Sequence, residues 1–328
     1  MKKNESKKSG KLLNIKSKYV LRIIFNNINF RRELKTIKYN KKLINLLEKS
    51  IDDFKNFFQI EIEIIPNKDA EGPFVNINRF QKNFFHIYFN NDRFESKCYK
   101  IEKSKKIKKI YIKIDNQNIT FKGLFKEIKS IKKINIIKCN RKDFINLSYM
   151  FDNCKSLKEL NIANFNTNNV INMEYMFNGC ESLEELNLNN FNTKNVTNMR
   201  SMFNGCKSLK ELNIANFNTN NVMNMEKMFN GCESLKELNL NNFNTKNVTN
   251  MRSMFNGCKS LKELNLSNFI TINVIDMNSI FKDCSSLETL NIINFSTQWA
   301  EAKNNILTGC NSLNYLFCSD NAIKNQLK

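Results

Sequence analysis

The sequence predicts an α/β solenoid of 26-residue rungs, each a strand followed by a short helix, behind a small helical and α+β N-terminal domain. Three observations carry that expectation. Seven cysteines stand at one fixed interval of 26 residues: Cys154, Cys180, Cys206, Cys232, Cys258, Cys284 and Cys310. Methionine and phenylalanine keep the same interval, at Met150, Met176, Met202, Met228 and Met254 and at Phe151, Phe177, Phe203, Phe229, Phe255 and Phe281. Within each interval the apolar residues first alternate and then recur every three or four positions, the signatures of strand and helix in turn.

The rung over residues 157–181 justifies each element. Leu160 and Ile162 alternate with Glu159, Asn161 and Ala163, as a half-buried strand requires. Val170, Met173, Met176, Phe177 and Cys180 then form one stripe of a short helix. Thr167 and its neighbours up to Asn169 offer N-cap side chains, and Asn-Gly pairs at 178–179, 204–205, 230–231 and 256–257 end the helix. The Leu-x-x-Leu-x-Leu frame is that of a leucine-rich repeat. The frame continues upstream, where Ile131-x-x-Ile134-x-Ile136 lies one period before Leu157 and Ile128 takes the cysteine slot. Ile107, Ile110 and Ile112 suggest a further strand, pairing with Ile119-Thr120-Phe121 across a turn at Asp115 to Asn118 as an N-terminal cap. Leu313-x-x-Leu316-x-Cys318 reads as the last strand. Ala300, Lys303 and Trp299 break the pattern just before it, as a capping rung must where its outer face meets water.

The run Asn-Phe-x-Thr-x-x-Val-x-x-Met-x-x-Met-Phe-x-x-Cys-x-Ser-Leu, as in residues 190–209, resembles the BspA-like leucine-rich repeat family. The resemblance covers about residues 120–317 and implies a leucine-rich-repeat solenoid that binds proteins or adheres to surfaces, without catalysis. That family's secretion signal and wall anchor are not readable. Tyr19-Val20-Leu21 is broken by Arg22 before Ile23-Ile24-Phe25, and no apolar run reaches transmembrane length. The expectation is therefore a cytoplasmic protein, with the nucleus as the alternative.

In such a compartment the cysteines are reduced. They form no CxxC pair, and His86 is the single histidine, so a buried column of small apolar side chains is expected rather than a metal site. The column spacing nevertheless lies within reach of a disulfide. No nucleophile–base pair, phosphate loop or metal constellation stands out, so neither an enzyme nor a cofactor is expected.

Residues 185–213 recur identically at 237–265, so pairs of rungs were duplicated together. Charge alternates within a pair, as Glu174, Arg200, Glu226, Arg252 and as Glu181, Lys207, Glu233, Lys259. Stacked rungs should turn these columns into ion-pair ladders that fix register more than they add stability. The exposed strand positions differ. Glu159, Glu185, Glu211, Glu237 and Glu263 form a column of one sign, beside Asn161, Asn187, Asn213, Asn239 and Asn265. Like charges stacked this closely repel, and Lys158, Lys210, Lys236 and Lys262, each preceding a glutamate, are expected to neutralise the column in part. These ten residues on a concave sheet are the candidate binding site for another protein, basic or polar in character.

Net charge is confined to the other end. Residues 1–140 hold 34 Lys+Arg against 14 Asp+Glu, whereas residues 141–328 hold 18 against 17. The basic part could meet nucleic acid or an anionic surface, although a lysine-, asparagine- and isoleucine-rich composition gives the same balance without any such partner. The expected organisation is a basic tail over 1–16, a helical and then α+β domain over 17–105, and the solenoid over 106–328. Val20-Leu21-x-Ile23-Ile24-Phe25-x-x-Ile28 is loosely similar to the first helix of F-box-type adaptors, which implies a ubiquitin-ligase scaffold as an alternative partner through residues 17–58. Ile60-Glu-Ile62-Glu-Ile64 predicts a strand after those helices, and His86 falls among apolar residues as a packed or edge-strand histidine.

Overall fold

The computed structural model describes residues 59–115 and 119–327. The basic tail over 1–16, the helices expected over 17–58 with their F-box-like face, and most of the turn at 115–118 lie outside the described residues. Gln59–Lys328 form one compact unit.

The unit begins with strands that pair antiparallel, unlike the ladder that follows. β1 (Ile60–Pro66), β2 (Gly72–Pro73), β3 (Phe85–Phe89), β4 (Lys100–Ile101), β5 (Ile110–Ile114), β6 (Ile131–Cys139) and β7 (Glu159–Asn161) follow in order. A five-stranded sheet has the order β3-β5-β1-β6-β7, and β2 pairs with β4 apart from it. β1 buries Ile60, Ile62 and Ile64 and leaves Glu61 and Glu63 half-exposed, the alternation its sequence predicts. It is antiparallel to both neighbours, with Ile62 opposite Ile112 of β5 and Ile136 of β6. The chain thus covers the first edge of the parallel ladder with a strand that cannot propagate it. β5 does not pair with residues 119–121 as the sequence suggests. The buried isoleucines of β1 and the buried Phe85, Ile87 and Phe89 of β3 match its own apolar stripe on both sides, and Phe121 instead packs against Phe144 and Phe165, at 5.0 and 5.5 Å between ring centroids. The sequence boundary at 105/106 falls between β4 and β5, within this unit.

From β6 onward the 26-residue frame holds as a solenoid. Ile134 lies beside Leu160, and β8 (Glu185–Asn187), β9 (Glu211–Asn213), β10 (Glu263–Asn265), β11 (Thr289–Ile292) and β12 (Tyr315–Cys318) are parallel rung strands. Every paired position is offset by the repeat, as Leu186 with Leu212 and Leu290 with Leu316.

The second half of each rung is not a helix. It is a run of tight turns whose amides alternate between two jobs. Met176, Asn178 and Cys180 donate within the rung to Met173, Tyr175 and Phe177 at 3.2–3.3 Å. Met173, Tyr175, Phe177 and Gly179 donate to the next rung, to Asn198, Arg200, Met202 and Asn204 at 2.7–3.1 Å. A helix would turn all of these amides inward. The alternation needs left-handed residues, and Tyr175 and Gly179 stand at φ 55° and 66°. The same places in other rungs repeat this, with Tyr149, Ser201, Lys227, Ser253 and Ser279 at φ 52–61°. A non-glycine side chain there costs about 1–2 kcal/mol, and the inter-rung bond made by its own amide offsets it. A three-residue apolar period belongs to stacked turns as well as to helices, which is why the sequence pattern points to the wrong element.

The core is a set of columns. Phe125, Phe151, Phe177, Phe203, Phe229, Phe255 and Phe281 stack face to face at 5.6–5.7 Å, within 14° of parallel. Each column cysteine donates its thiol to the phenylalanine carbonyl 29 residues earlier, as Cys206 to Phe177 at 3.2 Å. A buried threonine column ties each rung to the next. Thr219 Oγ1 donates to the Asn244 carbonyl at 2.9 Å and accepts from the Asn244 amide at 2.7 Å.

The column ends at Thr297, where no further rung can serve it. Asp320 takes that role, accepting from the Thr297 amide at 2.6 Å and its hydroxyl at 2.8 Å. The other oxygen of the same carboxylate caps α1 (Asn321–Lys324) through the amides of Ala322 and Ile323. Trp299 is 65% exposed on the capping rung, as its departure from the repeat suggests.

Candidate functional site

The candidate site is the strand face. Each Glu-Leu-Asn triplet exposes the acid and the amide and buries the leucine, as in β7, β8, β9 and β10. The alternation of a strand thus sets Glu159, Glu185, Glu211, Glu237 and Glu263 in one exposed column and Asn161, Asn187, Asn213, Asn239 and Asn265 in the next.

The asparagines are only half available. The Oδ1 of each accepts the amide two residues on, from Ala163, Asn189, Ala215, Asn241 and Ser267, at 3.0–3.2 Å. This turn closes the strand end and is structural. Their Nδ2 groups have no partner among the described residues, so the asparagine column offers amide donors.

The glutamates are more available than the sequence suggests. Glu159 pairs with Lys133 at 2.7 Å, and that bond holds its carboxyl below the usual range. Glu185, Glu211, Glu237 and Glu263 make no hydrogen bond or ion pair among the described residues. The preceding lysines form no ion pair with them, although Lys210 lies near enough to Glu185 to feel its charge. Lys210 turns to Glu184 at 2.7 Å and Lys262 to Glu288 at 3.7 Å, each a neighbour in its own column one rung away.

The ladder is open where these acids meet. Amides donate across the rungs from Lys158 to Lys132, Lys210 to Glu184, Glu288 to Lys262 and Asn314 to Glu288, at 2.8–3.2 Å. Among the described residues no such bond is made by Glu184, Lys236 or Lys262, and residues 237–239 form no strand. Every paired boundary except Glu185 with Glu211 sets a glutamate beside something else or lies beyond the column: Lys133 with Glu159, Glu263 with Thr289, Thr289 with Tyr315. The three open boundaries all set glutamate beside glutamate. Like-charge repulsion across neighbouring strands favours opening at such boundaries, although Glu185 and Glu211 stay paired. A groove of about 840 Å³ lies over one of these openings, between Glu237, Asn239 and Asn241 on one side and Glu263 and Asn265 on the other. At the C-terminal end the two columns turn aromatic, with Tyr315 64% and Phe317 53% exposed.

The other charge columns behave as expected of ion-pair ladders, with one exception. Arg200 lies 3.1 Å from Glu226 and 3.8 Å from Glu174, but Arg252 reaches Asp276 at 3.8 Å rather than Glu226. Lys155 and Lys207 both bond Glu181 at 2.9 Å, which lowers its pKa, and Lys259 bonds Glu233 at 2.9 Å. The sequence reading passes over one further surface feature. Tyr149 and Tyr175 stack at 5.0 Å, with Lys126 over the first ring and Arg200 over the second. The two tyrosines stand one period apart, which was the available signal.

The remaining chemistry-bearing groups are held in structural roles. Burial pushes the thiols of Cys154, Cys206 and Cys258 up to about 12, and those of Cys180 and Cys232 well above the ordinary value. All ten cysteines are free thiols. His86 lies on β3, the edge strand, 3.2 Å from both Glu95 and Asp115. Burial lowers its pKa, but the two hydrogen bonds and carboxylate charges outweigh that and raise it above 6.5. No group of three potential metal ligands occurs among the described residues, and no helix among them is long and apolar enough to cross a membrane.

Fold and face together define a leucine-rich-repeat solenoid, a repeat scaffold with one polar strand face. A family model described as "Mycoplasma protein of unknown function, DUF285" matches residues 119–238 and again 209–319, more than half of the chain. The chain belongs to that family. A leucine-rich cell surface protein from Faecalibacterium prausnitzii, known from a crystal structure, is similar at 14% identity over 60% of this chain and 75% of that one, with a TM-score of 0.23. No curated protein matches the chain.

Proposed function

We propose that the solenoid is a non-enzymatic protein-binding scaffold whose strand face takes a basic partner. One observation carries this reading. Glu185, Glu211, Glu237 and Glu263 stay unpaired on a surface where Glu159, Glu174, Glu181, Glu184, Glu226, Glu233 and Glu288 all have cationic neighbours. An unpaired column of one sign is a cost in the free protein that a cationic partner removes, and it steers such a partner on encounter. The free Nδ2 groups beside it would bond the partner's carbonyls.

The test compares two variants of equal charge. Glu185, Glu211, Glu237 and Glu263 are changed to Gln in one, and Glu181, Glu184, Glu233 and Glu288 to Gln in the other. Bound chains captured from cell extract should be lost from the first variant and kept by the second. Retention by both, or equal loss from both, contradicts the assignment of the strand face.

A further inference from the structure

Cys310 differs from the rest of its column. Cys154, Cys180, Cys206, Cys232, Cys258 and Cys284 are no more than 2% exposed, whereas Cys310 is half-buried near the open end of the stack. Its thiol donates to the Phe281 carbonyl at 3.0 Å, and the thiol of Cys284, one rung before it, donates to the Phe255 carbonyl at 3.1 Å. The earlier column thiols, Cys154 to Cys258, bond to main-chain carbonyls at 2.9–3.2 Å. Neighbouring rungs lie about 4.8 Å apart, inside the Cα separation a disulfide spans.

We propose that Cys284 and Cys310 form a hydroperoxide-sensitive thiol pair, with Cys310 as the attacking thiol and Cys284 as the resolving one. Attack of the Cys310 thiolate on a hydroperoxide forms an S–O bond and breaks the O–O bond. The departing oxygen leaves as water or alcohol once protonated, and Cys310 becomes a sulfenic acid. The Cys284 sulfur then attacks the Cys310 sulfur, an S–S bond forms, the S–O bond breaks, and its oxygen leaves as water with the Cys284 proton. Two thiols lose two electrons in all, and one peroxide gains them. The neighbouring Cys284 thiol lowers the Cys310 pKa, and burial opposes it, so the more accessible sulfur is also the one more readily ionised. The product joins the capping rung covalently to the repeat before it.

Cys98 serves as an internal control. It is also half-buried, and its thiol donates to the Lys100 carbonyl at 3.0 Å, with no thiol among its partners. The full-length reduced protein is treated with hydrogen peroxide, alkylated and digested with trypsin. A link between peptides 283–303 and 304–324 is expected, assigned by fragmentation to Cys310 and not Cys318, while Cys180 to Cys258 stay reduced. Cys310→Ser should abolish the link and leave Cys98 oxidation unchanged. Cys284→Ser should raise dimedone-trapped sulfenic acid at Cys310 several-fold, and because Cys284 is buried the wild-type map and Cys310→Ser carry the test without it. The proposal is overturned if Cys310 stays reduced while Cys98 oxidises, if it reaches the sulfinic acid unlinked, or if disulfides form equally among the buried cysteines.

Discussion

The two sides of each rung come from one repeated sequence and stack differently. On the turn side every rung from 147 to 283 donates a set of amides to the next, without a break. On the strand side the ladder closes at both ends and opens at three boundaries in between. The apolar columns beneath are equally regular on both sides, with leucine and phenylalanine buried in every rung. The difference therefore lies in the outermost atoms. Turn-side positions alternate acid and base or carry neutral side chains, while strand-side positions stack glutamate on glutamate. Regular packing fixes the architecture, and the hydrogen-bonded edge opens only where glutamate lies beside glutamate, with the Glu185–Glu211 boundary still shut.

Changes to the shared core should have the largest effect on both sides. Phe203→Ala removes one ring from the stack and leaves a cavity between Phe177 and Phe229, a loss of about 3–5 kcal/mol. Chemical denaturation should show it as a lower midpoint. A smaller loss would mean that adjacent rungs close the gap and that the columns are less rigid than their spacing implies.

The threonine column links successive rungs between the two sides, so breaking it tests a tie that both depend on. Thr219→Val leaves the Asn244 amide and carbonyl without their partner and should cost about 1–3 kcal/mol. The same column gives a pH signature at its end. Burial raises the Asp320 pKa, but hydrogen bonds from Thr297, Ile323 and Ala322 outweigh it, and the folded value lies below 3.8. The stability it contributes is complete above that unfolded-state value and is lost as pH falls through the folded one. Asp320→Ala should therefore lower stability by about 1–2 kcal/mol near neutrality. The gap to wild type should narrow in acid melts below pH 3.8.

How much of this was legible in the sequence depends on how local the cause is. The pairing of Ile134 with Leu160 follows from the period alone. The exposure of the Glu and Asn columns follows from strand alternation. The turn side was misread because Val170, Met173 and Met176 share their spacing with a helix, and left-handed Tyr175 carries no mark in its residue type. The packing of β5 between β1 and β3 joins distant segments, and periodicity does not report it. At the candidate site, the column of acids was readable, but the lack of ion pairs to the preceding lysines was not. The closure of Asn161 Oδ1 on its own strand end and the turning of Lys210 away to Glu184 were not, because each is a choice among several side-chain partners of similar energy.

The smallest effect bears most directly on the central claim, that the glutamate column opens the strand ladder and leaves its own carboxylates free. Each glutamate pair bears on the ladder by about 0.2–1 kcal/mol, within reach of amide hydrogen exchange resolved by residue. Wild-type amides over 236–240 should exchange faster than those over 288–292, where Glu263 faces Thr289 and the ladder is closed. Replacing Glu211, Glu237 and Glu263 by Thr should slow exchange over 236–240 toward the protection of 288–292, with the turn side unchanged. Equal protection of the two segments in the wild type, or no gain on substitution, would contradict the account.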